Sequence, residues 1–349
     1  MTEKKVLFLD CTLRDGGQGL EYAYNHGITK EFFTRGNYEN ILKAICSSKV
    51  ELFELGTIDP SATDCEKFAI YKDLEEISTN LKILKSSQEK AVVLYKGPDT
   101  PLDKISDFKE GLCQNIRVIL RYSELAKSLD FCEGLARKGY RVFVQPMLTM
   151  RYTNDELKYV AERAAKMGAF ALYMVDSYGY MDGDDISRIF EIYDAILPTE
   201  ISVGFHAHNN LNNAFSNAKY FKDLETRRGK IIDCCVAGLG QGAGNLQSEL
   251  ALSMLCTGEE QYDVASLFDA YEEMEKFNGS GLWGYGIEFA IPALCRAAYK
   301  YTHELRVKHH LKYKEIYQIL MSAPADVKNR FCAENLNKLL KRRLSTLAG

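Results

Sequence analysis

Residues 170–206 read FALYMVDSYGYMDGDDISRIFEIYDAILPTEISVGFH, and the fold follows from this stretch. Phe170–Val175 and Ile201–His206 are short, nearly continuous apolar runs, the pattern of strands buried on both faces. Between them Ile186, Ile189, Phe190, Tyr193 and Ile196 recur at helical spacing until Pro198 stops the pattern. A strand, a crossover helix and a second strand make one parallel βαβ unit. Outward from it, the same kind of run recurs at Val6–Asp10, Val50–Leu55, Ala91–Tyr95, Ile116–Leu120, Arg141–Pro146 and Ile231–Val236. Thr153–Glu156 is a capping box before Leu157, Val160, Ala161 and Ala164, and Ser123 is expected to open another helix. Eight β-then-helix units over about 260 residues predict an α/β chain folded as a (β/α)8 TIM barrel. A doubly wound open sheet would use fewer strands.

From Ala265 onward the β runs stop, so residues 1–264 are expected to form the barrel domain and 265–349 a helical C-terminal region. Helical patterns there cover Ala290–Leu305 and Tyr313–Met321. Gly279–Gly286, around Trp283, is a hinge or lid candidate, and Lys338, Lys341, Arg342 and Arg343 read as a solvated helix face. The chain has 349 residues, 46% hydrophobic and 26% charged, with a net charge of only −4. That balance carries no electrostatic footprint for nucleic acid or an anionic membrane. Apolar runs are strand-sized, and Val6–Leu9 is cut off by Asp10, which excludes a membrane span and a signal peptide from the expectations. The 10 cysteines lack paired spacing, so reduced thiols and a cytoplasmic location are expected.

Four segments carry chemistry. In Gly204-Phe205-His206-Ala207-His208-Asn209-Asn210 the two histidines are two residues apart at the end of a strand, so both imidazoles face one point. At the C-terminal mouth of a barrel, where such enzymes hold their active sites, that pair suits a divalent metal. Asp10-Cys11-Thr12-Leu13-Arg14-Asp15-Gly16-Gly17-Gln18, at the end of the first strand, offers a carboxylate ligand and a cation for a developing oxyanion. Gly238–Asn245 (GLGQGAGN) is expected to open a helix and to bring backbone N–H groups close to an anion. Asp176-Ser177-Tyr178-Gly179 places a hydroxyl and loop amides where they could hold a carboxylate or cap a helix.

Together TLRDG at Thr12–Gly16, the Asp-Ser-x-Gly of Asp176–Gly179, HAHNNL at His206–Leu211 and the glycine loop resemble the DRE-TIM metallolyases. That superfamily includes 3-hydroxy-3-methylglutaryl-CoA lyase, isopropylmalate synthase and 4-hydroxy-2-oxovalerate aldolase. The resemblance spans roughly residues 5–260, and GQGAGN at Gly240–Asn245 looks most like the aldolase branch. It implies Asp15, His206 and His208 as ligands of Mn2+ or Mg2+, with Co2+ or Zn2+ as substitutes, and Asn245 as an added ligand. It also implies Arg14 as the enolate stabiliser and Ser177 as the hydroxyl that holds the pyruvate carboxylate. The reaction implied is reversible cleavage of a 4-hydroxy-2-keto acid into pyruvate and an aldehyde. Its partners would be these small molecules, with a homodimer or a dehydrogenase docked on the C-terminal helices.

One position departs from the aldolase pattern. Gln18 stands where those aldolases carry an acid/base histidine, and an amide has no useful pKa, which leaves it a substrate-binding role. His26 in the expected long first loop, Tyr285 near the hinge and a metal-bound water are the candidates for the missing base. Because Gln18 is the residue of the synthases and the CoA lyase, two alternatives stand beside the aldolase. They are a Claisen-type synthase joining an acyl-CoA to a 2-keto acid, and a catalytically degenerate barrel with a binding role.

Overall fold

The computed structural model describes residues 6–62, 65–84, 87–256, 262–278 and 283–346. Its strands are β1 Val6–Asp10, β2 Leu52–Ile58, β3 Ile70–Tyr71, β4 Ala91–Tyr95, β5 Asn115–Leu120, β6 Arg141–Pro146, β7 Ala171–Asp176, β8 Ser202–Ala207 and β9 Lys230–Cys234. Eight of them pair in parallel in the order β1-β2-β4-β5-β6-β7-β8-β9, and β9 returns to β1 to close a barrel. The expected (β/α)8 TIM barrel with C-terminal helices is therefore observed. β3 is an addition that pairs only with the end of β2, where the register slips between Glu54 and Thr57 around Gly56 at φ +145. β2 begins and ends later than the apolar run suggests, because the ladder with β4, not hydropathy, sets its limits.

The strands bury both faces. Outward residues such as Phe8, Val93, Val118, Val144, Leu172 and Phe205 pack under the surrounding helices. The barrel interior is filled by Leu9, Cys11, Leu52, Val92, Phe143, Ala171, Tyr173, Val175, Ile231 and Cys235. The helix Asn154–Met167 starts as read: Thr153 Oγ1 accepts the Glu156 N–H at 3.2 Å, and Glu156 accepts the Thr153 N–H at 2.8 Å. Such a cap stabilises a helix by about 1 kcal/mol. Ser123 does not cap its helix, which begins at Leu125 after a short 3-10 turn.

The expected long first loop is a helix, Thr12–Asn25, despite three glycines. Packing explains it. A Cβ at Gly17 would lie 2.0 Å from the Phe68 carbonyl oxygen, and one at Gly19 would lie 2.9 Å from that of Gly240. The glycines let the helix lie directly on neighbouring backbone, which offsets their low helix propensity.

After the barrel, the helix Ser266–Asn278 sends Leu267, Ala270 and Met274 into the barrel's own core, whereas a separate apolar cluster begins at Ile291. The expected helix over Ala290–Leu305 is two, Ile287–Leu294 and Lys300–Val307, broken where Arg296 takes φ +51. The C-terminal helices reach the barrel mouth at several points. Tyr178 Oη and Arg151 Nη1 donate to the Asn329 carbonyl at 3.1 Å, and Tyr299 Oη donates to Gln241 at 2.7 Å. Of the hinge candidate, residues 279–282 lie outside the described residues. Trp283 Nε1 donates to Ala237 O at 3.0 Å and the Gly284 N–H to Ala243 O at 3.2 Å, so the end of that stretch is pinned on the glycine loop and the residue before it. No helix among the described residues is long and apolar enough to cross a membrane.

Candidate active site

Each site residue stands where a strand ends. β8 delivers His206, and His208 follows it; their rings lie 5.1 Å apart, centre to centre. β1 ends at Asp10, and the first turn of the next helix carries Arg14 and Asp15. These two are buried, at 3% and 1% exposure. One donor atom each from Asp15, His206 and His208 comes within 4.8 Å of the others, the arrangement a single ion needs.

Electrostatics suit a ligand set. Burial alone would raise the Asp15 carboxyl, but Arg14, His208 and His206 together hold it well below the usual range, so it is ionised. Burial pushes the His208 imidazole down to about 4, against the pull of Asp15, so it is neutral at pH 7 as a ligand must be. His206 Nδ1 donates to Asp233 at 2.9 Å, which leaves Nε2 for a metal.

Asn245 lies beside them. It pairs with His208 through an isolated antiparallel bridge, and its Nδ2 donates to Asp15. Its Oδ1 is buried without a hydrogen-bond partner, as is Arg14 Nη2. Two orphaned polar atoms beside a three-ligand cluster fit a site built to hold something polar. The glycine loop does not open a helix as expected. Gly238, Gly242 and Gly244, all at positive φ, fold it back so that the Asn245 N–H reaches Gly238 O at 2.9 Å, and the next helix begins only at Ser248. The loop thus supplies a side chain and close backbone, not a helix N-terminus. Gly240 must lack a side chain, because a Cβ there would fall 2.4 Å from Asp15 Oδ2.

Arg14 is aimed from two sides: Nε donates to Glu54 at 2.6 Å and Nη1 to Asp15 at 2.7 Å. Gln18 is buried next to them. Its Nε2 donates to Thr57 Oγ1 at 3.2 Å, and its Oε1 accepts from Gln241 Nε2 at 3.1 Å. Gln241 in turn accepts from Tyr299, and a pocket lined by Gly19, Tyr22, Gln241, Phe289, Tyr299 and His303 opens beside this chain.

The remaining expected residues are placed as follows. Ser177 is at the rim after β7, where its Oγ accepts the Leu148 N–H at 3.0 Å. The turn around it is closed by Asp176, which accepts N–H groups of Tyr180 and Met181 and is pushed up to about 7 by burial. His26 is exposed at the C-terminal end of the helix Thr12–Asn25, stacked on Tyr22 and bonded to its carbonyl oxygen. Tyr285 is 64% exposed. Neither is drawn into the cluster of Asp15, His206 and His208.

Sequence reading missed Glu54, Arg117, Asp233 and Gln145. Each is a polar residue with an apolar neighbour on either side within its strand, and that interruption on the inward face was the available signal. A second ligand-like group, Cys11, His206 and Asp233, also gathers within 4.8 Å. Arg117 already pairs with Asp233 and lies 3.6 Å from Cys11 Sγ, and burial pushes that thiol up to about 12. A cation fills that space.

Residues 107–274 match the HMGL-like family. A 4-hydroxy-2-oxovalerate aldolase of Thermomicrobium roseum is 30% identical over 273 residues, covering 75% of this chain and 70% of that one. An oxaloacetate decarboxylase of Mycobacterium tuberculosis is 24% identical over 255 residues, 73% of this chain and 71% of that one. Among solved structures, the N-terminal domain of a candidate aldolase from Bacteroides vulgatus superposes with a TM-score of 0.68 at 19% identity, covering 91% and 97% of the two chains.

Proposed function

Because the chain belongs to the HMGL-like family, in the branch of the 4-hydroxy-2-oxovalerate aldolases, we propose that it reversibly cleaves a 4-hydroxy-2-oxo acid to pyruvate and an aldehyde. The observation that carries this reading is the convergence of Asp15, His206 and His208 beside a guanidinium, Arg14, with an unpartnered Nη2. Asp15, His206 and His208 would hold a divalent ion, with Asn245 Oδ1 as a further ligand. A carboxylate, an amide oxygen and two imidazoles fit Mn2+, or Mg2+ with more water. When bound, such an ion supplies Lewis-acid polarisation of the 2-oxo group.

The protein's own groups do the rest. As the 4-hydroxyl gives its proton to water and its oxygen forms the aldehyde carbonyl, the C3–C4 electron pair moves into a C2–C3 double bond and charge develops on the 2-oxo oxygen. A proton returned from water to C3 completes pyruvate. Arg14, pinned by Glu54 and Asp15, presents Nη2 to that charge without having to reorganise. Ser177 would hold the substrate carboxylate at the rim. The pocket beside Gln241 and Tyr299 would take the aldehyde portion. Residues 1–264 would carry the chemistry and 265–349 would cover its mouth, in a cytoplasmic enzyme.

Gln18 favours a second reading. Its amide cannot accept the proton of a 4-hydroxyl, and its two polar ends are already engaged by Thr57 and Gln241. Decarboxylation of a 2-oxo dicarboxylate develops the same oxyanion but releases CO2 and needs no such base. The M. tuberculosis relative bears that activity in its name. Both readings require a stabilised three-carbon enolate. Hydrogen–deuterium exchange at the pyruvate methyl, followed by NMR with and without Mn2+, tests that shared step. Exchange that depends on the ion supports them, and none with Mn2+, Mg2+ or Co2+ sinks both. Release of pyruvate from 4-hydroxy-2-oxovalerate or from oxaloacetate then separates them.

A further inference from the structure

Barrel interiors are filled in layers of four side chains drawn from alternate strands, and those residues are ordinarily branched and apolar. One layer here is not. Glu54 of β2, Arg117 of β5, Tyr173 of β7 and Asp233 of β9 come from alternate barrel strands and are all within 1–2% of complete burial. Arg117 sits at their centre. Nη1 lies 3.1 Å from Glu54 Oε1, Nη2 pairs with Asp233, and the guanidinium carbon is 4.2 Å from the centre of the Tyr173 ring. Gly204 of β8 leaves room for that ring, since a Cβ there would fall 2.4 Å from it.

Both acids of the layer have a second partner above it. Glu54 Oε2 takes Arg14 Nε at 2.6 Å, and Asp233 Oδ2 takes His206 Nδ1 at 2.9 Å. Arg14 in turn holds Asp15. Buried groups therefore run without a break from Asp15 through Arg14, Glu54, Arg117 and Asp233 to His206, and both ends are candidate ligands. Burying three charged groups in a barrel is costly, and an apolar layer would serve stability as well or better. We propose that Arg117 is the positioning residue of the metal centre: from beneath, it fixes the carboxylate that aims Arg14 and the one that orients His206. The inference rests on reading Asp15, His206 and His208 as ligands. It assigns Arg117 no contact with substrate. Ligand-orienting partners of this kind, when removed, weaken metal binding by about 10–100-fold.

The test compares the wild type with Arg117→Lys, Arg117→Met and the neutral-layer triple variant Glu54→Gln/Arg117→Met/Asp233→Asn. Mn2+ affinity is read by electron paramagnetic resonance of the free ion. Site geometry is read from the visible spectrum of bound Co2+, and folding from circular dichroism. Arg117→Met is expected to bind Mn2+ about 10–100-fold more weakly with shifted Co2+ bands, and Arg117→Lys to fall between. The triple variant removes every charge of the layer yet keeps an acceptor for Arg14 and for His206. It should fold without recovering affinity, and it decides the matter if Arg117→Met does not fold. Wild-type affinity and spectrum in either Arg117→Met or the triple variant would overturn the proposal, because Arg117 would then only balance charge. A wild type that binds neither ion overturns the ligand reading itself, whatever the variants do.

Discussion

His206 and His208 show what single side chains contribute. Two residues apart, they face one side of the chain, and Asp233 behind His206 leaves Nε2 pointing outward. His206→Ala or His208→Ala should empty the site of tightly bound metal while β8 keeps its backbone pairing with β7 and β9. Full metal content by elemental analysis in either purified variant would show that the ligands lie elsewhere. Arg14→Lys keeps the charge but loses the planar fork that grips Glu54 and Asp15 together. Metal content should hardly change, while pyruvate methyl exchange slows by a factor equivalent to about 2–4 kcal/mol, the loss of one oxyanion donor. Equal rates in the two proteins would remove Arg14 from the chemistry. Gln18 is the opposite case, since its identity was plain in the sequence but the amide's engagement with Thr57 and Gln241 was not.

Elements place these residues, and two junctions are exposed to test. Gly240 lets the glycine loop pass against Asp15 and Asn245, where a Cβ would fall 2.1 Å from Asn245 Nδ2. Gly240→Ala should therefore weaken Mn2+ binding at least as much as loss of one ligand, with an unchanged circular dichroism spectrum; normal binding would mean that the loop has slack. Asp10 joins the end of β1 to two helices, accepting from the Thr12 N–H at 2.9 Å and from Ser248 Oγ at 2.6 Å. Burial nonetheless raises its carboxyl to about 6, against these hydrogen bonds, from an ordinary 3.8. The folded state therefore holds the proton more tightly than the unfolded chain. This contribution to stability is fully present below about pH 4 and is lost as pH rises through 6. Asp10→Asn keeps the acceptor without the charge, so it should gain stability over the wild type at pH 7–8, by at most about 3 kcal/mol. The gain should vanish near pH 4, and denaturant melts at the two pH values read it. A constant difference between them would contradict the buried-proton account.

At the scale of the whole molecule the site is a junction of strands that are far apart in sequence, so metal should stabilise the entire barrel. Saturating Mn2+ at 100 times its dissociation constant should add about 2.7 kcal/mol to unfolding, and EDTA should reverse it. A melting temperature indifferent to Mn2+ would mean that no ion binds the folded state selectively. The sequence by itself determined the order of strands and helices, because burial on both faces of a parallel sheet writes itself as local apolar runs. It also determined two local pairs: His206 with His208, since spacing along a strand fixes which way the two imidazoles point, and Arg14 with Asp15, which are adjacent in the chain. Only the tertiary structure decided that residues 12–25 form a helix. Their glycines argue against one until Phe68 and Gly240 are seen pressed against them. It alone brought Glu54, Arg117 and Asp233 into one layer, because barrel closure sets which distant strands share a level, and no local pattern encodes that register.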